Sequence, residues 1–421
     1  MGCSKNLVDS EVLLGQLKRG KIKVFYDSER KDFDIVIINT CGFIQDAKQE
    51  SIDIILDYVD AKSRGEIGRL YVIGCLSERY KKELEKEIPE VDKYFGKFDI
   101  KAITSELNIT FCPEYLHERV ITTPSHYAYL KISEGCNRFC AFCAIPHITG
   151  RYKSIPIEKL IAEAEFLANN GVRELLLIAQ DLSNYGYDIY GVSRLSDLIE
   201  EISGIDRIEW IRLHYLYPSE IPENLIESIR DNSKICRYLD IPLQHISDPL
   251  LLPMLRKVTR KETELLIKNL RNKIPGVALR TTMMVGFPGE TEDDFNELKQ
   301  FVRESGFEKL GVFTYSHEEG TYAAKKYKDD IPDKIKYARA EELMEIQRGV
   351  SLDLNRRKTG ETFKVIIDRR EGNHYIGRTE FDSPEVDGEV FVPADRKLEV
   401  GKFYRVTITD ADEYDLRGYV V

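Results

Sequence analysis

The chain has little with which to cross a membrane or to be exported. No apolar run approaches the roughly 18 residues of a membrane span, and hydrophobic residues make up an ordinary 42% of its 421 residues. The opening MGCSKNLVDSE lacks the apolar stretch of a secretory signal. Met1-Gly2-Cys3 hints at lipidation, but Asn6 stands where the myristoylation pattern wants Ser or Thr. The chain also lacks basic excess. Its formal net charge of −11 argues against a nucleic-acid binder that relies on bulk electrostatics. With no export signal, its eight cysteines favour reduced thiols and metal over disulfides, and the expected compartment is the cytoplasm.

Three of those cysteines stand as Cys136-x3-Cys140-x2-Cys143, within SEGCNRFCAFCAIPHITGRY. Three thiolates bind three irons of a [4Fe–4S] cube and leave the fourth iron without a protein ligand. A structural zinc site usually needs a second Cys or His pair, and none lies nearby. A disulfide knot suits a short secreted chain, which this is not. The run, with the aromatic Phe142 before its last cysteine, resembles the cysteine loop of the radical S-adenosylmethionine (SAM) superfamily. The resemblance implies that the open iron chelates SAM, and that an electron splits SAM into methionine and a 5′-deoxyadenosyl radical.

The middle third alternates β-rich runs at 127–133, 174–179, 207–213, 235–241, 277–285 and 310–315 with amphipathic helical patterns such as 157–168, 195–202 and 293–303. This predicts a parallel sheet with helical crossovers. Six units are too few for a closed eight-fold barrel, so an open, partial barrel is expected. Polar residues follow the strands: the cysteine loop, Gln180-Asp181, His214, Gln244-His245 and Gly286-Phe287-Pro288-Gly289-Glu290. Barrel enzymes keep their sites on that face. The last of these segments lacks the Lys-Ser/Thr of a phosphate loop, and its acids would repel phosphate. It reads either as a strand-end turn and helix cap or as the lining of a SAM pocket. Gln180-Asp181 likewise reads as pocket lining or as a cap. His245 reads first as a satisfied structural histidine, and Cys112 and Cys236 as ordinary small residues.

The first third repeats the alternation. Runs at 34–39 and 70–73 read as buried strands, with Cys41 and Cys75 just past them. Ligands bind beyond the carboxyl ends of strands in doubly wound sheets. Cys3, Cys41 and Cys75 are each spaced by about one βα repeat, and make a second plausible three-thiolate site. On this pattern Cys3 should also follow a strand, yet only two residues precede it. The expectation is a start lying upstream and a sheet that lacks a strand.

Residues 333–357 read as a long charged helix with a solvated linker face. From 361 onward the chain is strand-like, with turns at 371–372, 387–388 and 400–401, which suggests a small β-barrel. That segment carries 9 Lys and Arg against 14 Asp and Glu, a balance that weighs against RNA and suggests a basic protein partner.

Two three-cysteine sites, a radical-SAM core and a small carboxy-terminal barrel together resemble the methylthiotransferases, along the whole chain. The implied fold is α/β: a doubly wound amino-terminal domain (1–115), a central partial (β/α) barrel of the radical SAM type (122–352) and a TRAM-like β-barrel (355–421). The resemblance implies an auxiliary [4Fe–4S] cluster at Cys3, Cys41 and Cys75, beside the SAM-binding cluster at Cys136, Cys140 and Cys143. It implies two SAM per turnover, as radical source and as methyl donor, with Gln180, Gln244, Gly286 and Glu290 as SAM-pocket candidates. GCSKNLVDSE at 2–11 and DADEYDLRG at 410–418 are similar to the branch that modifies an aspartate in a ribosomal protein. The branch that modifies transfer RNA usually reads closer to GCQMN at the first of these. The implied substrate is the small-subunit ribosomal protein of the decoding centre, with 3-methylthioaspartate as product. A flavodoxin or ferredoxin would be the reducing partner, and nucleic acid would not be the direct substrate. The chain departs from the family at Lys153-Ser154-Ile155, where Arg-Ser-Arg is common, and at Pro253-Met254-Leu255-Arg256.

Overall fold

The computed structural model describes residues 2–28, 32–97, 99–219 and 221–421. Its centre is a six-stranded, all-parallel sheet formed by Tyr127–Lys131, Glu174–Ile178, Trp210–Leu213, Ile235–Asp240, Ala278–Val285 and Lys309–Thr314, side by side in chain order. The first and last strands do not pair, so the barrel is open, as the six-unit count predicts. Helices such as Ile157–Asn169, Leu195–Ser203 and Glu292–Ser305 cover its outer face. They bury Leu160, Leu167, Leu198, Ile199, Phe295 and Leu298 against Leu130, Leu175, Leu177, Ile211 and Leu279. Thr291 caps the last of those helices through a reciprocal capping box with Asp294.

The amino-terminal unit is a three-stranded parallel sheet, ordered Phe33–Thr40, Ile67–Gly74, Lys93–Tyr94. Gln45–Ser63 and Cys75–Glu87 pack on one face and Ser4–Arg19 with Ile100–Glu106 on the other. The strand expected before Cys3 is not found among the described residues: Cys3 is the N-cap of helix Ser4–Arg19. Side chains tie that helix start to the edge strand instead. Asn6 Nδ2 donates to Thr40 O (3.0 Å) and Asn39 Nδ2 to Asn6 O (2.9 Å).

Thr362–Glu371, His374–Thr379, Val390–Pro393, Phe403–Ala411 and Leu416–Val420 close into a five-stranded barrel. It sits under the concave face of the central sheet, at the strand starts. Ile366, Phe381 and Phe403 pack on Trp210, Cys236, Tyr238 and Ala278. Arg378 bridges Glu174 (2.8 Å) and Asp368 (2.7 Å), and Glu174 also accepts from Arg212 (2.8 Å). Asp387 accepts from Tyr238 Oη (2.8 Å), and Asp382 pairs with Lys309 (2.8 Å).

These contacts correct the reading of the barrel's charge. Eight of its 14 Asp and Glu are buried or half-buried, and its exposed charged residues are seven Lys and Arg against six Asp and Glu. Its fully exposed charges are therefore close to balance. The long helix is corrected as well. Asp333–Arg356 buries a largely polar stripe, Lys336, Arg339, Gln347, Ser351 and Asn355 around the apolar Leu343, rather than lying free in solvent. Gln347 donates to Phe307 O (2.8 Å) and Asn355 to Asp412 O (3.1 Å). Among the described residues no helix is long and apolar enough to cross a membrane.

Candidate active site

The strand ends of the central sheet and those of the amino-terminal sheet face each other. The cysteine loop leaves the first barrel strand through Gly135, whose φ is +75° and whose added Cβ would stand 2.2 Å from Arg151 O. Only glycine fits there. Cys136, Cys140 and Cys143 lie within electrostatic reach of one another. Burial pushes the Cys136 thiol up to about 11 and the Cys143 thiol up to about 12, so loading a metal must release protons. Two donors already point at sulfur: Arg138 N at Cys136 Sγ and Arg256 Nη1 at Cys140 Sγ, each at 3.4 Å. Both arginines stack on Tyr217, at 4.1 and 4.5 Å from its ring centre. Three thiols with N–H donors aimed at two of them suit a thiolate-bound cluster.

Cys41 follows strand Phe33–Thr40 directly, and Cys75 opens the helix after Ile67–Gly74. Cys3, Cys41 and Cys75 also lie within electrostatic reach of one another. Gly74 has φ +100°, and an added Cβ would meet Asn39 Oδ1 at 2.3 Å and Thr40 O at 2.5 Å. Gly42 lets the backbone at Leu76 approach, since a Cβ there would stand 2.7 Å from Leu76 Cα. Burial pushes Cys75 up to about 12, against the pull of Lys97. Among the described residues no three His, Cys, Asp or Glu side chains converge tightly enough to hold a single ion. A four-iron cube holds each thiolate at a separate corner, so its ligands need not meet at one point.

The two triads are linked. Cys75 packs on Ala144 and Ile148, in the segment that follows the cysteine loop. Lys97 pairs with Glu134 (2.7 Å), Asp9 with Lys131, and Arg79 and Lys48 both with Glu318 (2.9 Å each). Lys5 reaches Ala179 O at 3.4 Å. Four non-glycine residues with positive φ stand on or near this face: Phe139 (53°), Tyr215 (66°), Gln244 (76°) and Leu255 (55°). Such backbone strain collects at functional sites.

The proposed pocket residues divide by environment. Gln180 donates to Glu134 (3.1 Å), and its Oε1 is buried without a partner. Asp181 caps the next turn through Ser183 and pairs with Arg138 (2.6 Å), so its cap reading holds. Gln244 is half-buried beside Met283. Gly286 has φ +74° and a Cβ there would strike Lys336. Glu290 is fully enclosed, accepting from Gly286 N (2.5 Å) and Arg339 (2.7 Å) and lying 3.2 Å from His245 Nε2. Its carboxylate holds the turn at 286–289 closed. His245 also accepts from Ser247 N (3.0 Å), as a satisfied structural histidine should. Lys5, Arg138 and Tyr217 were not singled out by sequence reasoning. Arg256 was noted only as part of a departure from a family pattern, and no local signal ties it to the cysteine loop, since it lies 116 residues beyond Cys140.

Family models match in the same order as these units: "Uncharacterized protein family UPF0004" over residues 1–96, the Radical SAM superfamily over 130–302 and the TRAM domain over 359–421. Among solved structures, the radical SAM methyltransferase TsrM from Kitasatospora setae, with tryptophan and a SAM analogue, superposes with a TM-score of 0.52 at 15% identity, over 74% of this chain and 70% of that one. That likeness concerns the fold. The fold and the three-cysteine loop make this chain a radical SAM enzyme. Proteins named ribosomal protein uS12 methylthiotransferase RimO are 54% identical in Bacteroides fragilis, over all of this chain and 98% of that protein, and 52% identical in Porphyromonas gingivalis over the same shares. One from Flavobacterium johnsoniae is 51% identical over 99% of this chain and 96% of its own length. This chain belongs to the RimO family of radical SAM methylthiotransferases.

Proposed function

We propose that the enzyme inserts a methylthio group at the β-carbon of an aspartate in ribosomal protein uS12, giving 3-methylthioaspartate. The observation that carries this reading is end-to-end similarity to uS12 methylthiotransferases in a chain whose two cysteine triads face each other. Cys136, Cys140 and Cys143 would hold the SAM-binding [4Fe–4S] cluster and Cys3, Cys41 and Cys75 an auxiliary one. When bound, these groups and two SAM supply one-electron cleavage of an inert C–H bond, sulfur, and a methyl group. A flavodoxin- or ferredoxin-like partner would deliver the electron.

The chain's own residues do the positioning. Arg138 N and Arg256 donate to two sulfurs and stabilise their charge. Gln180 Oε1, buried and unpartnered, and Gln244 offer amide groups to a ligand above the strand ends. The turn at 286–289, held by Glu290, brings backbone close to the same space. The amino-terminal unit, clamped by Lys97–Glu134 and Arg79–Glu318, covers that space from water. Mass spectrometry of uS12 and of transfer RNA from a deletion strain tests the reading. A methylthio group should vanish from uS12 and return on complementation. Loss from a transfer-RNA adenosine with uS12 unchanged would overturn the substrate assignment.

A further inference from the structure

Lys5 is a buried ammonium without an acid. It lies on the first turn of helix Ser4–Arg19, two residues after Cys3, and is 9% exposed. Its Nζ has a long contact to Ala179 O (3.4 Å) and stands over the Tyr215 ring at 4.2 Å. Among the described residues no carboxylate comes within ion-pair distance. The acidic groups whose charge reaches it are Tyr215, Cys3, Glu134 and Asp240, and the two carboxylates among them are engaged elsewhere. Glu134 pairs with Lys131 and Lys97, each at 2.7 Å, and Asp240 with Arg280 at 3.3 Å. A buried charge left unpaired is costly, and sites that keep one use it for a ligand.

The position suits one ligand chemistry. Lys5 reaches from the helix that begins after Cys3 to the barrel strand end at Ala179. On the functional reading above, the substrate group that must enter here is an aspartate side chain. Its carboxyl carbon is bonded directly to the β-carbon that reacts. We propose that Lys5 binds the carboxylate of the substrate aspartate and so fixes the β-carbon between the two cysteine sites. Lys5 acts here as a positioning and specificity residue. Its three N–H donors suit a carboxylate, whereas an amide offers no charge to pair.

The test is a binding measurement on the anaerobically reconstituted full chain, with uS12 and with uS12 whose target aspartate is replaced by asparagine. The wild-type enzyme should bind the asparagine form about tenfold or more weakly. Lys5→Met should bind both forms equally, while Lys5→Arg keeps part of the preference. A general packing role for Lys5 would weaken both complexes alike and leave the preference intact, which would overturn the proposal. Equal binding of both forms by the wild-type enzyme would overturn it too, whatever Lys5→Met does to folding or iron content. Product analysis separates the two levels. If wild-type enzyme modifies uS12 but the preference is independent of Lys5, only the role of Lys5 fails. If uS12 is never modified, the functional reading fails with it.

Discussion

Cys75 is buried, Cys41 half-buried and Cys3 exposed, and burial pushes the Cys41 and Cys75 thiols up. On the proposed reading, removing one should still destabilise the whole auxiliary cube. Cys41→Ala should keep the barrel cluster and SAM cleavage while product formation falls to background; wild-type product yield would contradict the assignment. The barrel triad behaves differently. Triple replacement of Cys136, Cys140 and Cys143 by Ala should leave roughly half of about eight irons and abolish 5′-deoxyadenosine formation. Asp382 gives a pH test of the carboxy-terminal barrel. Burial pushes its carboxyl up, but Lys309 and Lys358 outweigh burial and hold it at about 2. The folded value lies below the ordinary one, so this stabilisation is complete above about pH 4 and is lost as pH falls toward about 2. It amounts to about 2 kcal/mol. Unfolding followed from pH 6 to pH 2 should show a shallower acid slope for Asp382→Asn than for wild type.

At the scale of elements, the junction between strand Ile67–Gly74 and helix Cys75–Glu87 sets where Cys75 stands. Gly74→Ala would force a side chain against Thr40 O, a backbone atom that cannot swing away. The strained φ adds a cost of about 1–3 kcal/mol. Iron analysis should find the auxiliary cube depleted and the barrel cube present; full iron in both would show that the junction tolerates displacement. The junction also shows what the sequence made legible. Cysteines just past apolar runs could be found because strand periodicity and ligand spacing are both local. The six barrel strands were legible for the same reason. Glu290 was legible in part: its bond to Gly286 lies within one turn, but His245 and Arg339 come from distant positions that no local pattern joins to it. The stripe at Lys336, Arg339, Gln347 and Asn355 misled because its polar residues find partners only after the fold brings Phe307 and Asp412 alongside. Among the described residues Cys3 is a helix N-cap, and the Asn6–Thr40 and Asn39–Asn6 bonds anchor that helix to the edge strand.

Across the whole molecule, the amino-terminal unit covers one end of the central sheet and the small barrel plugs the other. Composition alone made that barrel look acidic, because counting charges cannot tell a surface carboxylate from Asp368 or Asp387 held inside the core. A chain ending at Arg357 would uncover Trp210, Tyr238 and Ala278 and leave Glu174 without Arg378. Such a truncation should aggregate or unfold rather than simply lose substrate recognition, which light scattering and circular dichroism would show. The central claim is that the two facing triads divide the chemistry, one for SAM cleavage and one for sulfur insertion. The most direct measurement incubates reconstituted wild-type and Cys41→Ala enzyme with uS12, SAM and reductant, and quantifies 5′-deoxyadenosine and methylthio-uS12 in the same samples. The account predicts 5′-deoxyadenosine from both enzymes and methylthio-uS12 from the wild type alone. Methylthio-uS12 from Cys41→Ala at the wild-type ratio to 5′-deoxyadenosine would contradict it.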